Sequence, residues 1–85
     1  MYQIHFTEKT KKQLGKLEKP VQERIEKVLE RIRIRPHPHV SKLVGFNSYR
    51  LKIGDYRLLL DIDPLNLVIL VTKIGHRKNI YDMNL

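Results

Sequence analysis

Residues 49–62 read Tyr49-Arg-Leu-Lys-Ile-Gly-Asp-Tyr-Arg-Leu-Leu-Leu-Asp-Ile62. Apolar side chains recur at every second position on both sides of Gly54 and Asp55, as in strands with one buried face. A two-residue loop that begins with glycine is typical of the type II′ turn, whose twist matches that of antiparallel strands. The stretch therefore predicts a hairpin of two strands, Ser48–Ile53 and Tyr56–Ile62.

The two-residue turn also predicts the register of the hairpin. With that turn, Ile53 pairs with Tyr56, Lys52 with Arg57, Leu51 with Leu58 and Arg50 with Leu59. Alternation then assigns one side of the sheet to the helices: Tyr49, Leu51, Ile53, Tyr56, Leu58, Leu60 and Ile62. The opposite side, which we call the outer face, receives Arg50, Lys52 and Arg57.

Three cations on one small surface predict an anion site. Like charges across a ladder cost up to about 1 kcal/mol, and a bound phosphate would remove that cost. The alternative is that the three side chains simply extend into solvent, with Asp61 neutralising part of their charge.

Upstream of the hairpin, the sequence predicts one strand and two helices. Alternation of Tyr2, Ile4 and Phe6 indicates a short strand. Thr7 is a candidate N-cap for a helix from Glu8 to about residue 16. A second helix has Pro20 in its first turn and an apolar stripe at three- and four-residue spacing, which we assign to the core: Val21, Ile25, Val28, Leu29 and Ile32. Prolines within residues 35–39 end it and predict a loop.

Downstream, Asp63–Asn66 has turn composition, and Leu67–Ile74 predicts a third strand. All five residues from 67 to 71 are apolar, so both faces of this strand would be apolar. This pattern indicates a central strand covered on both faces. The predicted fold is therefore one α+β domain, residues 1–85. An N-terminal strand and two helices precede an antiparallel sheet, and the helices pack on one face of it.

Composition restricts the compartment and the partners. The 85 residues include 17 Lys and Arg against nine Asp and Glu, a net charge of +8 that attracts polyanions such as nucleic acid. No cysteine, signal peptide or membrane-spanning apolar run is present, so we expect a cytoplasmic protein with no membrane association. His37 and His39 lack a third ligand nearby, and we expect neither a metal nor a cofactor.

The C-terminal segment adds candidate site residues just past the last predicted strand. His76 could move a proton near neutral pH, and Arg77 and Lys78 add positive charge. Tyr81 could stack on a base or offer its hydroxyl to the site, or it could simply pack at the sheet edge.

Three motifs, in this order, resemble the RelE/ParE toxin superfamily: residues 49–53 (Tyr-Arg-Leu-Lys-Ile), 54–60 (Gly-Asp-Tyr-Arg-Leu-Leu-Leu) and 74–81 (Ile-Gly-His-Arg-Lys-Asn-Ile-Tyr). The resemblance covers essentially the whole chain and implies a RelE-like, microbial-RNase-like fold. RelE-like members cleave mRNA in the ribosomal A site. The resemblance thus implies an endoribonuclease that inhibits translation, with the ribosome, mRNA and a neutralising antitoxin as partners.

The resemblance also implies roles for individual residues. Arg50, Lys52, Arg57, Arg77 and Tyr81 match positions that grip the scissile phosphate and assist attack by the ribose 2′-hydroxyl. Arg57 and Arg77 suit stabilisation of developing charge, and Lys52 or Tyr81 could serve as the base. Arg50 is restricted to a charge role because arginine does not lose its proton in proteins. His76 and Lys78 complete the expected phosphate-binding set.

Two other functions remain open from the sequence. ParE-like members of the superfamily act on DNA gyrase and need no ribonuclease site. A catalytically inactive, RNA-binding toxin homologue is the other, since no Glu stands ready as a base. The combination of Arg57, Arg77 and Tyr81 favours the RelE branch. We expect Arg57→Ala and Arg77→Ala each to abolish growth arrest without unfolding the domain.

Overall fold

The computed structural model describes residues 1–45 and 48–80, and for Ile80 the backbone alone. The strands are β1 (Gln3–Phe6), β2 (Ser41–Lys42), β3 (Tyr49–Ile53), β4 (Tyr56–Asp63) and β5 (Val68–His76). The helices are α1 (Glu8–Gly15), α2 (Lys19–Ile32) and α3 (Arg77–Ile80), with one 3-10 turn at His37–His39. Within these described ranges no helix combines the length and apolar character that a membrane crossing requires.

The five strands form one sheet in the order β1-β5-β4-β3-β2. All neighbours are antiparallel except β1, which lies parallel to β5 and pairs Ile4 with Ile69. The α+β architecture predicted from the sequence is confirmed, but the sheet is mixed. Helices α1 and α2 carry the chain from β1 at one edge to β2 at the other, and the antiparallel strands β2 to β5 lead back until β5 lies parallel to β1.

The helices begin where their capping residues predict. The hydroxyl of Thr7 accepts the backbone N–H of Thr10 at 3.1 Å, and α2 has Pro20 in its first turn. The predicted stripe of α2 is the helix-side core: Ile25, Leu29 and Ile32 are buried against Leu58, Leu60, Ile69 and Val71 of the sheet. Val21 and Val28 pack at its margin.

The expectation that the last strand is covered on both faces was wrong. In β5, Ile69, Val71 and Ile74 are buried, whereas residues facing the other way are half-buried. The central strand is β4, in which the side chains on both faces are buried over residues 57–60. Strand β5 lies between β1 and β4, but its outer face is only half-buried. A continuous apolar stretch therefore does not identify the central strand of this sheet.

A buried hydroxyl joins α1 to the sheet. Thr10 is 0% exposed, and its Oγ1 donates to the carbonyl oxygens of Val71 and Thr7 at 3.0 Å each, as a bifurcated contact. We expect Thr10→Val, which keeps the shape and removes the hydroxyl, to lower the free energy of unfolding by about 1–2 kcal/mol. Urea denaturation measures this, with Lys9→Ala on the exposed side of the same helix as the control. An unchanged midpoint would show that the buried hydroxyl does not stabilise the fold.

Candidate phosphate-binding site

The hairpin has the register that the sequence predicts. Ile53 pairs with Tyr56, Lys52 with Arg57, Leu51 with Leu58 and Arg50 with Leu59. Gly54 has a φ of +58°, in the left-handed region that glycine reaches without a steric penalty. Arg50, Lys52 and Arg57 therefore share the outer face of the sheet, as the alternation of side chains requires.

Arg57 is buried rather than extended into solvent. It is 8% exposed, and its Nη1 donates to the carbonyl oxygens of Gly54 at 2.8 Å and Tyr56 at 2.9 Å. The guanidinium therefore ties the turn together from the outer side while its charge stays unneutralised by any carboxylate in the described ranges. Leu59, its neighbour on the same face, is also buried at 6% exposure. Arg57 is therefore shielded rather than solvated, whereas Lys52 on the same face is exposed, as the solvated alternative expects.

The two arginines of the outer face each carry an unused donor. Nε of Arg50 and Nε of Arg57 are buried, and neither has a hydrogen-bond partner among the described residues. Arg50 lies opposite Leu59, so the two arginines are diagonal neighbours, with Cβ atoms about 7–8 Å apart at most. An unsatisfied buried donor costs about 1–3 kcal/mol, more when it is charged, so natural proteins rarely keep one without a reason.

A bulge adds a fourth cation that sequence reasoning missed. The β4–β5 pairing changes register between Leu59 and Leu60, so that Leu59 lies opposite Lys73 and Leu60 opposite Val71. Thr72 is the extra residue, and its hydroxyl donates to the Leu59 carbonyl at 3.2 Å. Without the bulge Lys73 would face the helices, because a one-residue shift moves a side chain to the other side of a sheet. With it, Lys73 joins Arg50 and Arg57.

Arg77 reaches the hairpin from the C-terminal side. Its backbone N–H donates to the Asp55 carbonyl at 2.8 Å, which docks the start of α3 on the turn. Its side chain is 55% exposed, with Nε 3.9 Å from an Asp55 carboxylate oxygen. A pair this long and this exposed is weak, so the guanidinium is available to another anion.

His76 does not join the arginines. It is the last residue of β5, lies opposite Tyr56 and contacts that ring edge-on, with centroids 5.5 Å apart. Tyr56 lies two residues before Leu58 on the same strand and therefore faces the helices, as Leu58 does. Paired residues share a face, so His76 lies on the other side of the sheet from Arg57. Its Nδ1 accepts the backbone N–H of Lys78 at 3.3 Å, which leaves Nε2 to carry the proton of a neutral ring. Strand β5 runs two residues further than the sequence indicates, and this extension sets the side of His76.

The remaining predicted residues differ in their setting. Lys52 and Lys78 are exposed, and neither is in an ion pair within residues 1–45 and 48–80. Tyr81, the predicted aromatic, lies outside the described residues. Asp61, the acid that could have neutralised the cations, accepts the Ser48 hydroxyl at 3.1 Å. In the part of the chain that the structure describes, no group of three His, Cys, Asp or Glu side chains is placed to hold a metal ion.

Residues 4–81 match the family model described as the ParE toxin of the type II toxin–antitoxin system parDE. The chain is a member of the RelE/ParE toxin superfamily. Over 80 residues this toxin is 31% identical to a RelE-like toxin protein of Escherichia coli, with 91% of this chain and 84% of the relative covered.

Solved structures of RelE proteins share the fold of the toxin. A chain of the intact E. coli RelBE toxin–antitoxin complex has a TM-score of 0.78 at 27% identity, covering 89% of this chain and 96% of that one. A chain of the archaeal RelE–RelB complex from Pyrococcus horikoshii OT3 has a TM-score of 0.79 at 26% identity, covering 89% and 94%. The isolated E. coli RelE toxin has a TM-score of 0.80 over 100% of both chains, at 24% identity. The RelE-like topology predicted from the sequence is confirmed.

Proposed function

We propose that this toxin is a ribosome-dependent endoribonuclease that cuts mRNA in the A site and so inhibits translation in the cytoplasm. The observation that carries the proposal is the pair of buried Nε groups on Arg50 and Arg57, from which no described residue accepts a hydrogen bond. A phosphate offers two oxygens to the planar fork of a guanidinium, which would satisfy these donors and offset the repulsion among the cations of the outer face.

Residues of the site can stabilise charge and accept a proton during phosphodiester cleavage. Attack by the ribose 2′-hydroxyl on phosphorus breaks the bond to the 5′-oxygen, which takes up a proton from water, leaving a 2′,3′-cyclic phosphate and a free 5′-hydroxyl. Negative charge grows on the non-bridging oxygens, where Arg57 and Arg77 stabilise it and Arg50 and Lys73 add positive potential. Lys52 or Tyr81 accepts the proton of the attacking hydroxyl. No Glu stands among these residues as a conventional base, so in this scheme the ribosome supplies much of the alignment of the reacting groups.

His76 has a smaller part in this scheme than the sequence suggests. Its position beside Tyr56, on the helix-facing side, separates it from Arg57 in the ladder. We propose that it supports the start of α3 through its contact with the Lys78 backbone, and that Lys78 contributes charge at the margin of the site.

We also propose that a cognate antitoxin neutralises the toxin. Two of the similar structures are complexes of RelE with RelB, and the net charge of +8 suits an acidic partner segment that orders on binding. The antitoxin must cover or distort the outer face if it is to block cleavage.

The direct test is a single-turnover assay on ribosomes programmed with a short mRNA, with the cut ends mapped. We expect one major cut in the A-site codon and a 2′,3′-cyclic phosphate on the upstream fragment. The same mRNA without ribosomes should be cut far more slowly. Intact mRNA on fully programmed ribosomes, with toxin in excess, would refute the proposed activity.

Inhibition of DNA gyrase is the second candidate, favoured by the match of residues 4–81 to a family model named for ParE. A supercoiling assay with purified gyrase distinguishes the two. We expect no inhibition at toxin concentrations that cut ribosome-bound mRNA. Inhibition of gyrase together with intact mRNA would assign the toxin to the ParE branch.

Arg77→Ala separates catalysis from folding. Its side chain is 55% exposed and its only ion pair in the described ranges is the 3.9 Å contact with Asp55, so removal should cost less than about 1 kcal/mol of stability. Loss of a donor to the developing charge should slow cleavage about 10²-fold. Thermal denaturation and single-turnover rates measure the two effects, with Arg35→Ala as the control. Full activity in Arg77→Ala would remove this residue from the mechanism.

A further inference from the structure

A second cationic surface lies on the helix side of the hairpin. A groove of about 460 Å³ runs between α2 and the end of β3. One wall contains Arg24, Lys27 and Arg31 of α2, and Lys52 closes the groove on the hairpin side. Glu23 is its one acidic residue, and within the described ranges it forms no ion pair with any of these cations. The groove is therefore strongly positive and unneutralised.

The three cations of α2 form a row. Their spacing of three and four residues places them on one face of the helix, over about 10 Å along its axis. In duplex DNA one strand carries a phosphate about every 3.4 Å along the axis. A row of this length is therefore on the scale of a few consecutive phosphates of one strand.

Arg24 lies over the turn. A Cβ on Gly54 would lie 2.8 Å from Nη1 of Arg24 and 3.2 Å from its Cζ, so the guanidinium packs directly on the glycine. On the other side of the same turn, Gly54 accepts the hydrogen bond of Arg57. The groove and the outer face thus meet at one residue, and Lys52 borders both.

From these positions we propose that the groove is a second RNA-binding site, which takes the phosphate backbone of a folded RNA helix while the outer face takes the scissile phosphate. Among the described residues, no aromatic side chain lines the groove to stack on an unpaired base. It offers point charges in a row, which suit the backbone of a duplex. The inference extends the proposed function by giving the toxin a separate contact with structured RNA.

An acidic protein segment fits the groove less well. In an antiparallel pair, every second residue of β3 points its backbone N–H and C=O away from β4. Arg50 is one of these residues and already pairs with β2, which leaves Lys52. A strand added at this edge would therefore gain the main-chain bonds of a single residue. A helix in a groove needs apolar anchors, and here Val28 and Ile53 are already packed into the core or its margin. The charges are therefore the main recognition feature of this surface.

The test uses the full chain with Lys27→Gln and Arg31→Gln combined, since neither residue is assigned to catalysis. The matched control is Lys9→Gln with Lys12→Gln, which removes the same charge from exposed positions of α1. Arg31 and Lys12 each lie in the last turn of their helix, so the effects on the helix dipoles are matched. Binding to a blunt RNA hairpin and to a single strand of equal length is followed by fluorescence anisotropy between 50 and 200 mM salt.

We expect the groove variant to bind the RNA hairpin about tenfold more weakly than the wild type, and its slope of log K against log salt to be less steep by about 2. The control should keep the wild-type slope within about half a unit. Equal losses in both variants would mean that net charge alone acts, and would overturn the proposal. Loss of binding to an acidic peptide, with hairpin binding unchanged, would overturn it in favour of a protein partner.

A parallel cleavage assay separates this inference from the proposed function. On programmed ribosomes the groove variant should need a higher toxin concentration for half-maximal cutting, with the same maximal rate. If the wild type cuts no mRNA, the proposed function fails while the hairpin measurement still decides the groove. If cutting and hairpin binding are both unaffected by the groove variant, the groove proposal fails alone.

Discussion

Arg57→Ala is expected to slow cleavage of ribosome-bound mRNA about 10²- to 10³-fold, the cost of losing one donor aimed at charge that develops in the transition state. Single-turnover rates at saturating toxin measure this directly. From the sequence we expect the domain not to unfold, and the structure adds a cost in stability. The buried guanidinium donates to the carbonyls of Gly54 and Tyr56, and losing both bonds should cost about 2 kcal/mol, or about 10 °C in Tm.

Arg57→Lys distinguishes the catalytic effect from the structural one. A lysine keeps the charge and can reach a turn carbonyl, so most of the stability should return. It lacks the planar fork that binds two phosphate oxygens, so cleavage should stay reduced. A stable Arg57→Lys toxin that cuts at the wild-type rate would show that no bidentate contact is needed. A folded Arg57→Ala toxin with full activity would remove Arg57 from the site altogether.

Gly54→Ala should lower the free energy of unfolding by about 1–2 kcal/mol, because its φ of +58° places an L side chain in the disfavoured left-handed region. In addition, the new methyl group would lie 2.8 Å from Nη1 of Arg24, so that guanidinium must move. Cleavage should fall as well, since Gly54 holds Arg57 through its carbonyl. Chemical denaturation and the cleavage assay measure the two effects on the same sample.

Two further variants test the cause of this loss. Gly15→Ala is the matched control, because Gly15 ends α1 with no atom within 4 Å of the added methyl, and alanine there should be neutral or stabilising by up to about 1 kcal/mol. In an Arg24→Ala background, Gly54→Ala should cost less than in the wild type, since the overlap is gone. Equal costs in both backgrounds would show that Arg24 does not press on the turn.

The hairpin is the part of the candidate site that sequence predicts well. A two-residue turn at Gly54 and Asp55 leaves one pairing for the flanking residues, and strict alternation then fixes the side of every side chain. The pairing of Lys52 with Arg57 and the common face of Arg50 and Arg57 follow from this local rule. The core stripe of α2 was predictable for the same reason, because its period of 3.6 residues is a local property.

Sequence predicts less where pairing depends on distant residues. The bulge at Thr72 arises only when β5 pairs with β4, so the outward position of Lys73 has no local signal. The extension of β5 to His76 likewise depends on its partner Tyr56. The parallel place of β1 depends on a strand more than sixty residues away.

By itself, the order of residues determined the two long helices and the main strands of this toxin, the turn between its two site strands and the cations that share a face, because these follow from periodicity and backbone sterics over a few residues. The tertiary structure decided how those cations meet their surroundings. It buried Arg57 against the turn, turned Lys73 outward and set His76 on the opposite side. It also left Nε of Arg50 and Arg57 without a partner among the described residues. Burial and strand register depend on contacts between distant segments, and these exist only once the sheet has formed.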